Sequence, residues 1–230
     1  MATLPHQPTP PLPPTPPSEA ALPSKMTSNP IPSSTTTPET KHIWVITGPA
    51  GCGKTSVASH LHATHGLPYL EGDAYHTPEN VAKMRAGQPL TDADRWDWLI
   101  LLREEAISTL LAPPTTTAPA AAPTGVIVTC SALKRKYRDV LRVASYHHPS
   151  IRVHFVFLQA SEALLMDRVR ARQGHYMKDY MVRSQFQSLE TPGVEEGDVL
   201  SVDAGGSSEE VRVLAEAVVE REMGRGVDAA

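Results

Sequence analysis

Cysteine is scarce in this chain of 230 residues: Cys52 and Cys130 are the two, too few for a disulfide framework, so a reducing compartment is expected. No apolar run approaches the ~18 residues needed to cross a bilayer, so the expectation is a soluble protein with no membrane partner. A surplus of positive charge is also missing. The formal net charge of -4 and pI near 6.2 leave no overall basic field, which argues against nucleic acid as a partner. Residues 1–40 contain neither an apolar signal-type run nor an arginine, so no secretory or transit peptide is expected and the cytoplasm is the default location. The ten histidines show no H-E-x-x-H or comparable spacing, so no structural zinc is expected, and His60, His62, His65, His147 and His148 read as surface or core residues. There is no internal repeat.

Proline, by contrast, is concentrated. Residues 1–40 hold 12 of the 22 prolines among Ser and Thr, with almost no aliphatic periodicity, and read as a disordered tail. The run Pro10-Pro11-Leu12-Pro13-Pro14-Thr15-Pro16-Pro17 favours polyproline II and suits an SH3- or WW-type groove; an unselected flexible tail is the plainer reading. One domain follows, from 41 to 224, with residues 225–230 as a flexible end. Hydrophobic content of 40% is enough for a sizeable core.

What organises that domain is Gly48-Pro49-Ala50-Gly51-Cys52-Gly53-Lys54-Thr55, which matches G-x-x-x-x-G-K-[ST] at every fixed position. Its backbone N–H groups are suited to wrap a phosphate, Lys54 to reach β- and γ-phosphate oxygens, and the Thr55 hydroxyl to sit on Mg²⁺; Gly48, Gly51, Cys52, Gly53, Lys54, Thr55 and Ser56 are the expected nucleotide contacts. A glycine-rich turn alone would explain the glycines but not Lys-Thr at a helix start. The context fits as well: His42 to Thr47 reads as a buried strand entering the loop, and Lys54 to His65 as a helix leaving it, stopped by Gly66.

The remaining elements alternate. Strands are expected at Leu67–Leu70, Gly125–Cys130, Ile151–Leu158 and Asp198–Asp203. Helices are expected at 93–111 (stripe Leu99, Leu102, Ala106, Leu110), from Ser131 onward, at Glu162–Arg172 with Ser161 as N-cap, and at the end with Val211, Leu214 and Val218 inward. Residues 74–95 are too charged for core, and the Ala/Pro/Thr stretch 112–124 reads as a low-complexity surface insertion. Five strands separated by helices imply an α/β fold with a mostly parallel five-stranded sheet and helices on both faces.

Phosphoryl transfer to a hydroxyl needs Mg²⁺, cations around the moving group and a carboxylate beside the acceptor. Asp73, just beyond the second strand, is the best candidate base, and Glu71 is placed to hold a Mg²⁺-bound water or else to cap the next segment. Cations cluster at Lys83, Arg85 and Arg95 and again at Arg168, Arg170 and Arg172. Arg168 and Arg172, four apart, share one helix face and suit a lid over the phosphates, whereas Arg170 reads as solvated.

Several segments together resemble the small ATP-dependent gluconokinases of the P-loop kinase group, relatives of shikimate and adenylate kinases. Gly72-Asp73-Ala74-Tyr75-His76 through Asn80 and Lys83-Met84 is similar to G-D-x-x-H-x-x-x-N-x-x-K-M. Gly87-Gln88-Pro89-Leu90-Thr91-Asp92-Ala93-Asp94-Arg95 resembles G-x-P-L-x-D-x-D-R, with Trp98-Leu99 following. Cys130 to Lys134, then Tyr137-Arg138-Asp139, is similar to C-S-A-L-K-x-x-Y-R-D, and Arg172 to Tyr176 with Ser184 to Pro192 resembles a lid and the helix after it. The resemblance implies a three-layer P-loop kinase fold with a small helical lid at about 172–182, and transfer of the ATP γ-phosphate to the 6-hydroxyl of D-gluconate. It implies Asp73, Lys54, Arg168 and Arg172 as catalytic residues, and Asp73, His76, Lys83, Arg95, Lys134 and His175 toward the sugar acid. Thr55 and Glu71 fall toward Mg²⁺; Glu71 stands where the family commonly has aspartate. Cys52 is either a tolerated variation or an oxidisable thiol beside the phosphates. A changed acceptor, or a scaffold binding through the tail, are the alternatives, and a second copy of the chain is left open as a partner.

Overall fold

Strand β1, Lys41–Thr47, is buried along all but its first residue and is the axis of the molecule. In the computed structural model, which describes residues 40–113, 122–171 and 178–225, it pairs in parallel with β3 (Gly125–Thr129) on one side and β4 (Ile151–Gln159) on the other. β2 (Tyr69–Glu71) joins β3 and β5 (Val199–Asp203) joins β4, both parallel, giving the order β2-β3-β1-β4-β5. Strands buried on both faces read as continuous apolar runs, which is why β1, β3 and β4 were legible without alternation. The described residues all belong to the unit Thr36–Ala230. The tail through residue 39, most of the 112–124 insertion, lid positions 172–177 and the end from 226 lie outside them.

Helices cover both faces. Helix α1 (Lys54–His65) buries Val57, Ala58 and Leu61 on one face, together with Leu165, Met166 and Val169 of α5 (Glu162–Ala171), Val182 of α6 (Lys178–Ser188) and Val211, Ala215 and Val219 of α7 (Ser208–Arg225). On the other face α3 (Ala93–Leu111) inserts Leu99, Leu102, Ala106 and Leu110, and α4 (Arg135–His147) adds Tyr137, Leu141 and Ala144. The Gly66 C-cap takes φ 66° and returns its N–H to the His62 carbonyl, ending α1 as its position suggested.

One element stands where the sequence showed only a charged segment, and two expectations need correction. Residues 74–95 contain a helix, α2 (Pro78–Arg85): Thr77 accepts a hydrogen bond from the Asn80 N–H and Pro78 occupies the first turn, a start signal masked by the segment's charge. Helix α4 begins at Arg135 rather than Ser131, because Ala132 sits at φ 35°, outside helical geometry. In α7 the buried stripe is Val211, Ala215 and Val219, while Leu214 is about half exposed; i,i+3 and i,i+4 stripes diverge over two turns, and the i,i+4 one faces α1.

The turn at Ala132 is held from below by a buried ion pair. Arg138, 1% exposed, donates from Nε and Nη2 to both Glu196 oxygens at 2.7 and 2.6 Å, and its Nη1 donates to the Ala132 carbonyl at 3.1 Å. Arg142 adds a bond to Glu196 at 2.6 Å and a two-point contact with Asp198. Arg138 and then Arg142 hold the Glu196 carboxyl down at about 2, against 4.5 ordinarily. Glu196→Ala leaves a buried guanidinium without its counter-charge, and the expected loss is about 3–5 kcal/mol, read as a lower urea midpoint. Because the native carboxyl is the stronger acid, the stabilisation is full above the ordinary glutamate range and is lost as pH falls through about 2. Acid-unfolding curves that coincide for wild type and variant would count against the pair.

Candidate active site

A cleft of about 360 Å³ opens where the carboxyl ends of β1, β2 and β3 meet the start of α1. One wall is the phosphate loop. Gly48 bends it at φ 138°, and a Cβ there would meet Cys52 Sγ and the Leu158 carbonyl, each at 2.9 Å. Lys54 lies at the N-terminus of α1, where the loop's N–H groups and the helix dipole favour an anion. Its ammonium donates to the carbonyls of Gly48 at 2.9 Å and Pro49 at 3.1 Å, and the Ala50 N–H donates to Gln185 Oε1 at 2.6 Å. Cys52 is 1% exposed and packs into the core on the α1 side, so its thiol is a core group rather than a surface one.

The facing wall comes from β2 and the turn after it. The Glu71 carboxylate accepts hydrogen bonds from Thr55 Oγ1 at 3.4 Å, from Thr129 Oγ1 and from the Tyr69 hydroxyl, which knits α1, β2 and β3 together. Burial first, and then the Glu71 contact, push the Tyr69 phenol up to about 12, so it remains a donor. Gly72 follows, with its N–H on Thr129 Oγ1 at 3.1 Å and its carbonyl receiving the Trp98 indole N–H at 2.8 Å. That grip points the next residue, Asp73, outward with its side chain 88% exposed at the cleft. His76 stacks on Trp98, centroids 4.1 Å apart, with its Nε2 4.0 Å from Asp73 Oδ1. Burial, against a smaller upward pull from Asp73, lowers the His76 pKa, so the ring is neutral near pH 7; its buried Nδ1 has no hydrogen-bond partner. Nε2, on the Asp73 side of the ring, is the nitrogen that can meet a hydroxyl in the cleft.

The cations separate. Arg95 lines the cleft, its Nη1 donating to the carbonyls of Leu90 and, at 2.9 Å, Thr91. Lys83 is paired with Asp94 at 2.6 Å and Lys134 with Asp92 at 3.0 Å, and neither is among the cleft-lining residues. Asp92 also accepts from Lys136 and the Tyr137 hydroxyl, and these donors hold its carboxyl well below the usual range. Lys83 and then Thr91 hold Asp94 at about 2.

Arg168 lies elsewhere, in a groove of about 190 Å³ behind the loop with Gly53, Ser56, Ser207 and Ser208. Its guanidinium donates to the carbonyls of Ala204 at 2.7 Å, Gly205 at 3.3 Å and Gly206 at 2.5 Å, and Ser56 Oγ lies 2.9 Å from Ser208 Oγ. Arg172 and His175 fall outside the described residues. Residue-by-residue reasoning passed over Gln185, Tyr180 and Trp98, all cleft-lining. Trp98 and Gln185 stood inside segments with a recognisable pattern, but spacing alone gives no reason for a Trp or Gln to face a ligand.

Comparison with known proteins agrees with this geometry. The family model described as an AAA domain matches residues 43–191. The chain is 39% identical over 178 residues to a probable gluconokinase of Schizosaccharomyces pombe, spanning 74% of this chain and 83% of that protein. It is 37% identical to the thermoresistant gluconokinase of Escherichia coli, over 73% of this chain and 87% of that one. Among solved structures, a gluconokinase from Sinorhizobium meliloti superposes with a TM-score of 0.68 at 36% identity, covering 84% of this chain and 98% of that chain.

The close approach at Gly72 is directly testable. A Cβ there would lie 2.0 Å from the Thr129 carbonyl oxygen, a backbone atom that cannot rotate away. Gly72→Ala is expected to destabilise the fold by about 1–3 kcal/mol in chemical denaturation, and an unchanged midpoint would refute the contact.

Proposed function

The chain belongs to the gluconokinase family, and on that premise we propose that it transfers the γ-phosphoryl group of ATP to the 6-hydroxyl of D-gluconate, giving 6-phospho-D-gluconate and ADP. One observation carries the reading: the loop suited to a triphosphate and the Glu71-to-His76 turn suited to a polyol line the same cleft. A phosphoryl group can therefore pass between them with little travel, which is most of what such catalysis requires.

On the donor side, the N–H groups of Gly51, Cys52 and Gly53 cradle the phosphates, and Thr55 and Ser56 add hydroxyls. Lys54 exchanges the Gly48 and Pro49 carbonyls for phosphate oxygens. A hydroxyl and a carboxylate 3.4 Å apart are hard oxygen ligands, so Thr55 and Glu71 fit Mg²⁺. When bound, the ion neutralises charge on the β- and γ-phosphate oxygens.

On the acceptor side, Asp73 orients the 6-hydroxyl and takes its proton as the oxygen attacks. Neutral His76 offers a sugar hydroxyl its Nε2, the ring nitrogen that faces Asp73, and Arg95, which lines the cleft, is placed for the gluconate carboxylate or the moving phosphoryl group. Lys83 and Lys134 reach substrate only by releasing Asp94 and Asp92. Arg168, once free of the 204–206 carbonyls, acts with Arg172 and His175 in a lid over the phosphates. The same reading assigns the catalytic unit to 41–224, with 112–124 a surface insertion and about 172–182 the lid, working in the cytoplasm. It leaves the proline run 10–17 for an SH3- or WW-type groove.

With ATP, Mg²⁺ and a panel of sugar acids, gluconate is expected to give the fastest ADP release; no release above the acceptor-free control would end the kinase reading. Asp73→Asn is expected to lower kcat by about 10²–10⁴-fold with the KM for ATP changed by less than a few-fold. An unchanged kcat would remove Asp73 as the base.

A further inference from the structure

Helices α1 and α7 run side by side in the same direction. Ser56 sits beside Ser208, His60 beside Glu216, and His65 beside Glu216 and Glu220. At the far end of this pair, one ligand atom each from His65, Glu216 and Glu220 lies within 4.8 Å of the other two. Residues 216 and 220 are one turn apart on α7, so two like charges share a face, an arrangement that is unfavourable unless a cation lies between them. His65 Nε2 is one of three buried side-chain polar atoms without a hydrogen-bond partner among the described residues. An imidazole with one ring nitrogen unpaired, and a ligand atom converging with two carboxylates, is a donor set suited to a divalent cation.

From this juxtaposition we propose that His65, Glu216 and Glu220 bind a divalent transition cation of the zinc type, which staples the second half of α7 to the end of α1. The donor set selects the class: an imidazole nitrogen suits Zn²⁺, whereas Mg²⁺ prefers all-oxygen, largely hydrated surroundings. His60, hydrogen-bonded to Glu216 Oε2 at 2.8 Å, holds that carboxylate in orientation. His65 is the last residue of α1, where the negative end of the helix dipole adds to the attraction for a cation. The site is remote from the phosphate loop, by roughly 18 Å along a helix of this length, so the ion is structural and takes no part in the transfer chemistry. The two halves of the site are about 150 residues apart in the chain, and sequence spacing could not disclose it.

The test uses the full chain, freed of metal with a chelator and then desalted. Titration with ZnCl₂ is expected to bind about one ion per chain by elemental analysis. At a hundredfold excess over Kd, Tm should rise by roughly 5–10 °C. Glu220→Gln, at an exposed position, and His65→Gln should each weaken zinc binding at least tenfold and abolish that rise; should His65→Gln fold poorly, Glu220→Gln decides alone. No stoichiometric binding to wild type, or an equal Tm rise in Glu220→Gln, would overturn the assignment. So would a rise with MgCl₂ that Glu220→Gln removes, since that would mark a hard-cation site.

Discussion

The Glu71 carboxylate is the knot on which the working edge of this molecule depends. Three hydroxyls converge on it, from the helix that starts at the phosphate loop, from its own strand and from the neighbouring strand. Charge-assisted bonds of this kind are stronger than neutral ones, and together they fix the distance between the loop that holds a donor and the turn that presents Asp73. The next residue must then be glycine, because the Thr129 carbonyl occupies the space of a side chain. A side chain one methylene longer than the family's common aspartate is accommodated by these three donors, so the departure at residue 71 leaves the carboxylate fully engaged.

Much of this architecture was legible because it rests on local rules. Buried parallel strands announce themselves as apolar runs, the phosphate loop as a fixed spacing of glycines and a lysine, and α1 by its C-terminal glycine. What stayed hidden depends on partners far away in the chain. Lys83 and Lys134 read as cations for the substrate, whereas Asp94 and Asp92 hold them here, and Arg168 read as a phosphate ligand although backbone carbonyls 36 to 38 residues later hold it here. Charge density obscured α2, whose Thr-Pro start was nonetheless written in the sequence. Arg138 shows the same limit from the other side: an arginine inside a charged segment proves to be among the most buried side chains in the fold.

The pairs formed by Lys83 and Lys134 also bear on recognition. Both carboxylates belong to the segment that leads into α3, the same segment that places Arg95 at the cleft. In the proposed role of these lysines, an incoming anion would have to displace Asp92 and Asp94. On that proposal, selectivity for an acidic polyol would be a difference between two ionic states of the protein rather than a simple attraction.

The polarity of the sheet has a last consequence. All five strands point the same way, and the cleft lies at their carboxyl ends. Helix α3 starts at that edge near Arg95 and, over 19 residues, carries the chain to the opposite edge, where Gly125 re-enters β3. The described residues on either side of the Ala/Pro/Thr stretch, Leu111 and Gly125, thus stand at the edge away from the cleft. Lengthening a connection costs only about 0.6 kcal/mol per doubling, so drift in its length is nearly invisible to selection on catalysis. That edge is where this lineage can accumulate, or an engineer can insert, new sequence while the catalytic edge stays as it is.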